Sequence, residues 1–493
     1  MKYIFLIVAV LLSLFSFATY MRFPDAKSEV PVLFWVTDPN PARTLQVETF
    51  KKWLIKHGHV TADGKPAVDL RIDAANGRMA KKIIQTVSGV GGDVMDLFNG
   101  RYVRYMDDIG VLEELTDSAK EMGFDLSKTY KALETELVVN GRQMAFPCNV
   151  VCSLLLVNKD VFEKYGQPLP PEKWTIDEFE RLGKAYVKAA NEPGKQQTNF
   201  YAIGVDYTLM HRSMGLSIFN ETLTASTLDD ERYVKTLDRI SKWIHEDHII
   251  PTEAEIRSFN VGSGYGGLTA QLFYRGNFAM IYTGRYMLIQ LRRFEEPMKL
   301  GAVSVPFDHY PNARISTRTS AMYKGGNHKE AAKLFYQYLA SEDYNMLIVN
   351  DADALPPNPE YAKGEAFLRP EKFPNEWGIH EKFVNQAKTI AIGGVYSPFV
   401  ADAEVFRSTQ YYYDRVVNKI SSPEEAASAT KLAIDKKIAL TLREKPALQE
   451  MYDKLTEDQK VIDQCKTEGK KIPLRLVRNP FLKRYYKDMS MGE

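Results

Sequence analysis

The sequence predicts an α/β protein built from two layered units, and three observations carry that reading. Strand, helix, strand, helix, strand succeed one another between Val32 and Phe98, the pattern of a parallel sheet with crossover helices. A strand interrupted by Pro147 resumes as an apolar run from Val150 to Val157, which reads as a chain leaving one unit and entering another across Pro147 to Asn149. At 493 residues the chain is too long for one ordinary core and fits two or three domains.

The elements follow from local chemistry. Val32 to Val36 reads as a buried strand, and Asn40 caps a helix that begins at Pro41 and carries Leu45, Phe50, Trp53 and Leu54 at helical spacing. Ala67 to Ile72 is a second strand, Asn76 caps the helix Arg78 to Val87, and Asp93 to Phe98 is a third strand. Asn140-Gly141 marks a tight turn, and Asn158-Lys159-Asp160 opens a helix that ends near Gly166. Thr175 and Glu178 form a capping box for a helix to about Ala190. Tyr201 to Val205 is a strand followed by an apolar helix from Leu209 to Phe219, and Leu228 to His248 is amphipathic. Strands follow at Asn277 to Tyr282, Leu300 to Val305 and Ile315 to Lys324, the last unusually polar through Thr317, Arg318 and Thr319. Asn327 caps a helix to Leu339, and Ser422-Pro423-Glu424-Glu425 starts another with proline at the first position and acids in the first turn.

Composition excludes several classes. The chain is 45% hydrophobic and 26% charged, that of a folded body, and 64 basic against 63 acidic side chains give no electrostatic reason to bind nucleic acid. Lys2 precedes an uncharged apolar stretch from Tyr3 to Tyr20, an export segment. Two readings of it stand side by side: Ser16-Phe17-Ala18 suits cleavage after Ala18, whereas about 18 apolar residues nearly span a bilayer and would anchor the chain. Cys148 and Cys152 on one strand would lie about 13 Å apart, beyond the roughly 7 Å a disulfide tolerates, and read as buried thiols. No HExxH spacing occurs among the eight histidines, and no G-x-S-x-G elbow is found. The glycine-rich runs Gly89 to Gly92 and Gly262 to Gly267 do not follow buried strands and lack the Lys-Ser/Thr ending of a phosphate loop. From Lys466 to Lys487 basic residues interleave with Phe481, Tyr485 and Tyr486, a run read as packing on the protein's own acidic face in preference to a membrane surface.

In parallel sheets ligands sit beyond the carboxyl ends of strands. Asp38, Asn40, Asn99, Arg101 and Tyr102 fall at that edge in the first unit, and Asp206 and Tyr207 in the second.

The succession Asn140-Gly141, short strand, Phe146-Pro147, apolar strand, Asn158-Lys159-Asp160, helix, Tyr165-Gly166 resembles the family 1 extracellular solute-binding proteins of ABC importers, the maltose-binding-protein-like group. The resemblance runs from about Val32 to Leu440, with later stations at Trp174 to Phe179, Phe273 to Met280, Gly284-Arg285-Tyr286, Lys329 to Phe335 and Ser341-Glu342. It implies a two-lobed periplasmic-binding-protein-like fold of class II type, its discontinuous lobes joined by crossings near 147–150, 303–312 and 341–355. The divisions expected are 1–22 as signal peptide or membrane anchor, 30–147 with 306–342 as one lobe, 150–303 with 350–445 as the other, and 446–493 as a helical, basic extension.

The resemblance further implies a monomeric, non-enzymatic capture protein in the periplasm or anchored to the inner membrane. It would deliver a sugar or oligosaccharide to ABC permease subunits, with no cofactor or metal and with membrane contact only through the N-terminal segment. An exported carbohydrate-active enzyme and a membrane-retained sugar sensor are the competing readings. The expected ligand-binding set is Asp38, Asn40, Asn99, Arg101, Tyr102, Asn149, Asp206, Tyr207, Arg285, Tyr286, Thr319, Trp377 and Tyr396, with Tyr286 standing where the family often places a tryptophan against a sugar ring. Thr317, Arg318 and Thr319 replace glycines usual in the family.

Overall fold

A computed structural model describes residues 10–15, 29–259 and 267–493. The run Gly262 to Gly267 therefore lies outside the described residues save its last glycine, as does most of the N-terminal apolar segment, of which Val10 to Phe15 is an exposed helical stretch.

Two sheets organise the chain. The first begins with β1 (Val32–Val36), α1 (Ala42–Lys56), β2 (Asp69–Asp73), α2 (Met79–Val87), β3 (Val94–Leu97), α3 (Gly100–Asp108) and α4 (Glu134–Leu137), β2 and β3 pairing parallel on either side of β1. The chain then runs through β4 (Ala145–Cys152) and, after Ser153 alone, into β5 (Leu154–Asn158) of the second sheet. That sheet has four strands, completed by β6 (Phe200–Ile203), β7 (Phe278–Thr283) and β8 (Leu300–Val303) in the order β8-β5-β7-β6. Around it lie α5 (Ile176–Ala190), α6 (Tyr207–Ser213) and α7 (Glu231–His245). The chain returns with β9 (Ala313–Met322), which takes β4 antiparallel along one edge and β3 along the other. It continues through α8 (Lys329–Ala340), α9 (Glu342–Asp351), α10 (His380–Thr389), β10 (Ala391–Ile392), α11 (Asp402–Val417), α12 (Pro423–Glu444), α13 (Gln449–Thr467) and α14 (Pro480–Asp488), β10 joining β9 in the first sheet.

The apolar pattern divides the first sheet by faces. Leu33, Trp35 and Val94 pack with Phe50, Trp53 and Phe335 on one side. Val36, Met95, Leu97, Val150 and Cys152 face the other, in a core continuous with Leu154, Leu156 and Ile281 of the second sheet. The capping box at Thr175 and Glu178 forms, as does one at Ser422 and Glu425. Asn76 and Asn327 do not cap: Arg78 and His328 hold those positions, and the Asn76 amide turns back to the Asp73 carboxylate at 2.7 Å. Helix α2 turns its polar side inward, Lys82 and Thr86 being buried while Ile84 and Val87 are exposed, because the Lys82 ammonium donates to the carbonyl of Asp96 beneath it.

Pro147 does not interrupt β4. Thr319 sits opposite Pro147 and Arg318 opposite Asn149, so Cys148 is an extra residue in a bulge and β4 continues to Cys152. A bulge is one of the few places a sheet accepts a residue without an N–H, so the proline is absorbed and the step between sheets falls at Ser153. Cys148, Cys152 and Cys465 are free thiols.

The polar stretch of β9 is buried for a reason equally invisible in its pattern. The Arg318 guanidinium lies 2.6 Å from Asp96 and 3.6 Å from Asp353, while Arg43 lies 2.8 Å from Asp353 and 2.7 Å from Asp38. Burial alone would raise the Asp96 and Asp353 carboxyls, but the two guanidinium groups hold both below the usual range. The C-terminal extension packs through its rings: Phe481, Tyr485 and Tyr486 are buried, and Glu221 receives Lys466, the Tyr486 hydroxyl and the Gln459 amide.

Breaking the pair at its centre is expected to be costly. Arg318→Ala leaves Asp96 and Asp353 buried without their shared cation and should lower unfolding free energy by about 3–5 kcal/mol, read as a reduced urea midpoint at unchanged slope.

Candidate functional site

The carboxyl ends of the strands open onto a cluster that both sheets' helices build. Asn99, two residues beyond β3, caps α3, its side-chain oxygen accepting the Tyr102 N–H at 3.4 Å. Three residues apart on α3, Arg101 and Arg104 share a face. Arg101 forms an ion pair with Asp402 at the start of α11, its guanidinium 4.2 Å from the centre of the Phe406 ring. Arg104 donates to the carbonyls of Thr135 and Val138 and lies 4.3 Å over the Tyr396 ring. Glu136, on α4, is the fulcrum: its carboxylate accepts the N–H of Gly100, the N–H of Gly394 at 2.7 Å and the Tyr396 hydroxyl at 3.0 Å. These approaches require glycine. A Cβ at Gly100 would meet the Glu136 backbone at 2.7 Å, and one at Gly393 would collide with the Thr135 hydroxyl.

On the side of the second sheet, Asp206 caps α6 by accepting the Thr208 N–H at 2.9 Å and stands 3.6 Å from Arg314. Tyr207 stacks on Tyr413 with ring centres 4.8 Å apart, and burial pushes its phenol up to about 12. Burial likewise raises the Asp402 carboxyl, a shift that Arg101 opposes, and the Tyr396 phenol. Tyr286 is 39% exposed, its ring packed against Gly284, where a Cβ would lie 2.8 Å from it.

Arg101, Asn99 and Tyr396 thus meet in the cluster, with Asp206 and Tyr207 on α6 at its second-sheet side, and Tyr102 is half-buried against the core beside it. Six of the expected ligand residues stand elsewhere. Asn149 and Thr319 are buried, the first donating to Asp353 at 3.0 Å and the second to the Leu97 carbonyl at 3.1 Å. Asn40 is buried and accepts the Ala42 N–H, an Asx turn ahead of a helix whose cap position is Pro41. Arg285 is 1% exposed and faces inward while its neighbour Tyr286 faces out. Its guanidinium donates to the carbonyls of Val349 and Ala354, each at 2.9 Å, and to Nδ1 of His380 at 3.0 Å. Asp38 is partly exposed but held by Arg43, and exposed Trp377 donates to the Pro370 carbonyl.

Glu136, Arg104, Arg314, Asp402 and Phe406 escaped the sequence reading. Arg104 carried one usable signal, its spacing of three from Arg101 on the same helix. The Gly393-Gly394 pair carried another, two residues without side chains just before a loop tyrosine. Glu136 carried none: its partners are 36 and 258 residues distant. Among the described residues no group of three His, Cys, Asp or Glu could hold a metal ion.

Residues 50–346 match the family described as bacterial extracellular solute-binding protein, more than half of the chain. The chain belongs to that family, a class of binding proteins that works outside the cytoplasm. Among solved structures it is similar to an ABC substrate-binding protein from Listeria monocytogenes in complex with cycloalternan, with 21% identity, 83% of this chain and 98% of that one covered, and a TM-score of 0.67. It is also similar to maltose-bound MalE3 from T. maritima, with 19% identity, 83% and 100% coverage and a TM-score of 0.63. A third is the maltose/maltodextrin-binding domain MalE from Bdellovibrio bacteriovorus bound to maltotriose, with 16% identity, 83% and 100% coverage and a TM-score of 0.64. The likeness fixes the fold as two-lobed. No helix among the described residues is long and apolar enough to cross a membrane.

The Arg285 site has a pH signature. His380 is buried among Arg285, Glu376, Arg292 and Phe367, and burial drives its imidazole down to about 4 against the pull of Glu376. In the unfolded chain the group titrates near about 6.5. The stability gained by keeping it neutral is therefore full above about 6.5 and is lost as pH falls toward 4, by up to about 3 kcal/mol. His380→Gln, which can still accept from Arg285 and donate to Glu376, should flatten the decline of the urea midpoint across that window.

Proposed function

We propose that this chain captures a sugar or oligosaccharide between its lobes and delivers it to the permease of an ABC importer. What supports the reading is the contact between walls at one cluster, where Glu136 accepts N–H groups from both Gly100 and Gly394 while Arg101 reaches Asp402. Family membership and the sugars named for the structural neighbours point the same way. Carbohydrates offer flat C–H faces and many hydroxyls, which aromatic rings and short polar or charged side chains match.

The division into lobes belongs to this proposal. Residues 30–147 with 306–342 form one lobe and 150–303 with 350–445 the other, and 446–493 is an extension on the second. Asp38, Asn99, Arg101, Tyr102, Arg104 and Glu136 line one wall. Asp206, Tyr207, Tyr286, Tyr396 and Asp402 line the other, with Tyr286 stacking on a sugar ring. The protein acts as a monomer on the outer side of the inner membrane, either freed by signal cleavage or retained by its N-terminal segment.

A glycan panel tests this. Ligand-dependent thermal stabilisation without product is the expected outcome. Turnover of a glycan, abolished by Asp206→Asn, would make the chain an enzyme instead. Tyr286→Ala should cost about 1–3 kcal/mol of binding while leaving the melting temperature of the ligand-free protein nearly unchanged. Unaltered affinity in that variant would remove Tyr286 from the wall.

A further inference from the structure

Within the electrostatic reach of the cluster lies an arginine whose charge no described residue answers with a hydrogen bond or ion pair. Arg212, on α6, is 6% exposed, and its guanidinium, 5.3 Å from the centre of the Phe481 ring, has neither a hydrogen bond nor an ion pair among the described residues. A cation so buried is costly unless it is paired. Burial pulls its guanidinium down to about 10, and the groups that act on it are Asp206, Arg314, Tyr396 and Tyr282. Asp206 is the carboxylate that acts on it, but it already accepts from Thr208 and lies 3.6 Å from Arg314, so one carboxylate serves two arginines. Arg314 leaves half of its side chain exposed. The wider balance has the same sign: Arg101, Arg104, Arg212 and Arg314 face the three carboxylates Glu136, Asp206 and Asp402, and burial raises the last of these toward its neutral form.

We infer that the solute taken by this cleft is an anionic carbohydrate, whose negative group binds between Arg212 and Arg314. The inference rests on the capture reading above and narrows its ligand class. Guanidinium groups match carboxylate, sulfate and phosphate oxygens through paired N–H donors, so all three anions share the required chemistry. A neutral glycan would leave Arg212 as it stands, buried and unpaired. An anion brings the charge that Asp206 alone does not supply to both arginines, and the hydroxyls of Tyr282 and Tyr396 lie within the same field.

Titration calorimetry with trigalacturonate, a sulfated disaccharide, a hexose phosphate and neutral maltotriose, each at low and high salt, tests the inference and separates the three anions. At least one anionic probe should bind about tenfold or more tightly than maltotriose and weaken as salt rises. Arg314→Gln, at a half-exposed position, should remove about tenfold of the anionic affinity and cost maltotriose markedly less. Arg212→Met should do the same, with the ligand-free melting temperature confirming that the variant folds. Equal, salt-independent binding of neutral and anionic probes overturns the inference and leaves capture standing, as does an equal loss for both probes in Arg314→Gln. Binding of no glycan at all overturns the capture reading and this inference with it.

Discussion

Six buried charges hold the first sheet and the turn after α9 in register. Asp38, Arg43, Asp353, Arg318, Asp96 and Lys82 form a connected, balanced set of three cations and three anions, all buried except for part of Asp38. Individually these groups would be expensive to remove from water, and their arrangement is stable because each has a partner of opposite sign or a backbone acceptor. The set ties the end of β1, the start of α1, the end of β3, the middle of β9 and the turn after α9, segments spread across more than 300 residues. Trp35 and Thr37 add donors to Asp96, and Asn149 adds one to Asp353, so the carboxylates are fully engaged.

Asp353 sits in a turn that could not hold itself. Its neighbours Ala352 and Ala354 have φ of 57° and 65°, left-handed values that cost a non-glycine residue on the order of 1 kcal/mol or more. The turn is gripped from two directions: Arg43 and Arg318 hold the Asp353 carboxylate, and Arg285, reaching from the end of β7, takes the carbonyls of Val349 and Ala354. Leu355 then pairs with Val150 through both backbone hydrogen bonds. The turn is thus tied to elements of both sheets.

The sequence made the layers legible because burial leaves a periodic trace. Val32 to Val36 and the strand at Leu300 stand where their apolar patterns put them, and the Thr175 box forms because its signal is local. The site was legible only where a residue's role is set by its own element, as at Asn99 and Asp206, both helix caps at strand ends. It failed where a role depends on a distant partner. Arg285 and Tyr286 are adjacent and equally plausible as ligand residues, yet the backbone turns one to the carbonyls of a crossing and the other to solvent. Thr319 and Asn149 are polar residues in a sheet interior, a pattern that a binding site and a buried ion network share. Glu136 became visible only when Gly100 and Gly394 were brought to the same carboxylate.

Solution scattering of the purified chain with and without a saturating bound glycan tests most directly whether the two lobes close as bodies on a solute held by both walls. A smaller radius of gyration and a narrower distance distribution in the bound state are the expected result. Tight binding with superimposable scattering curves would contradict it.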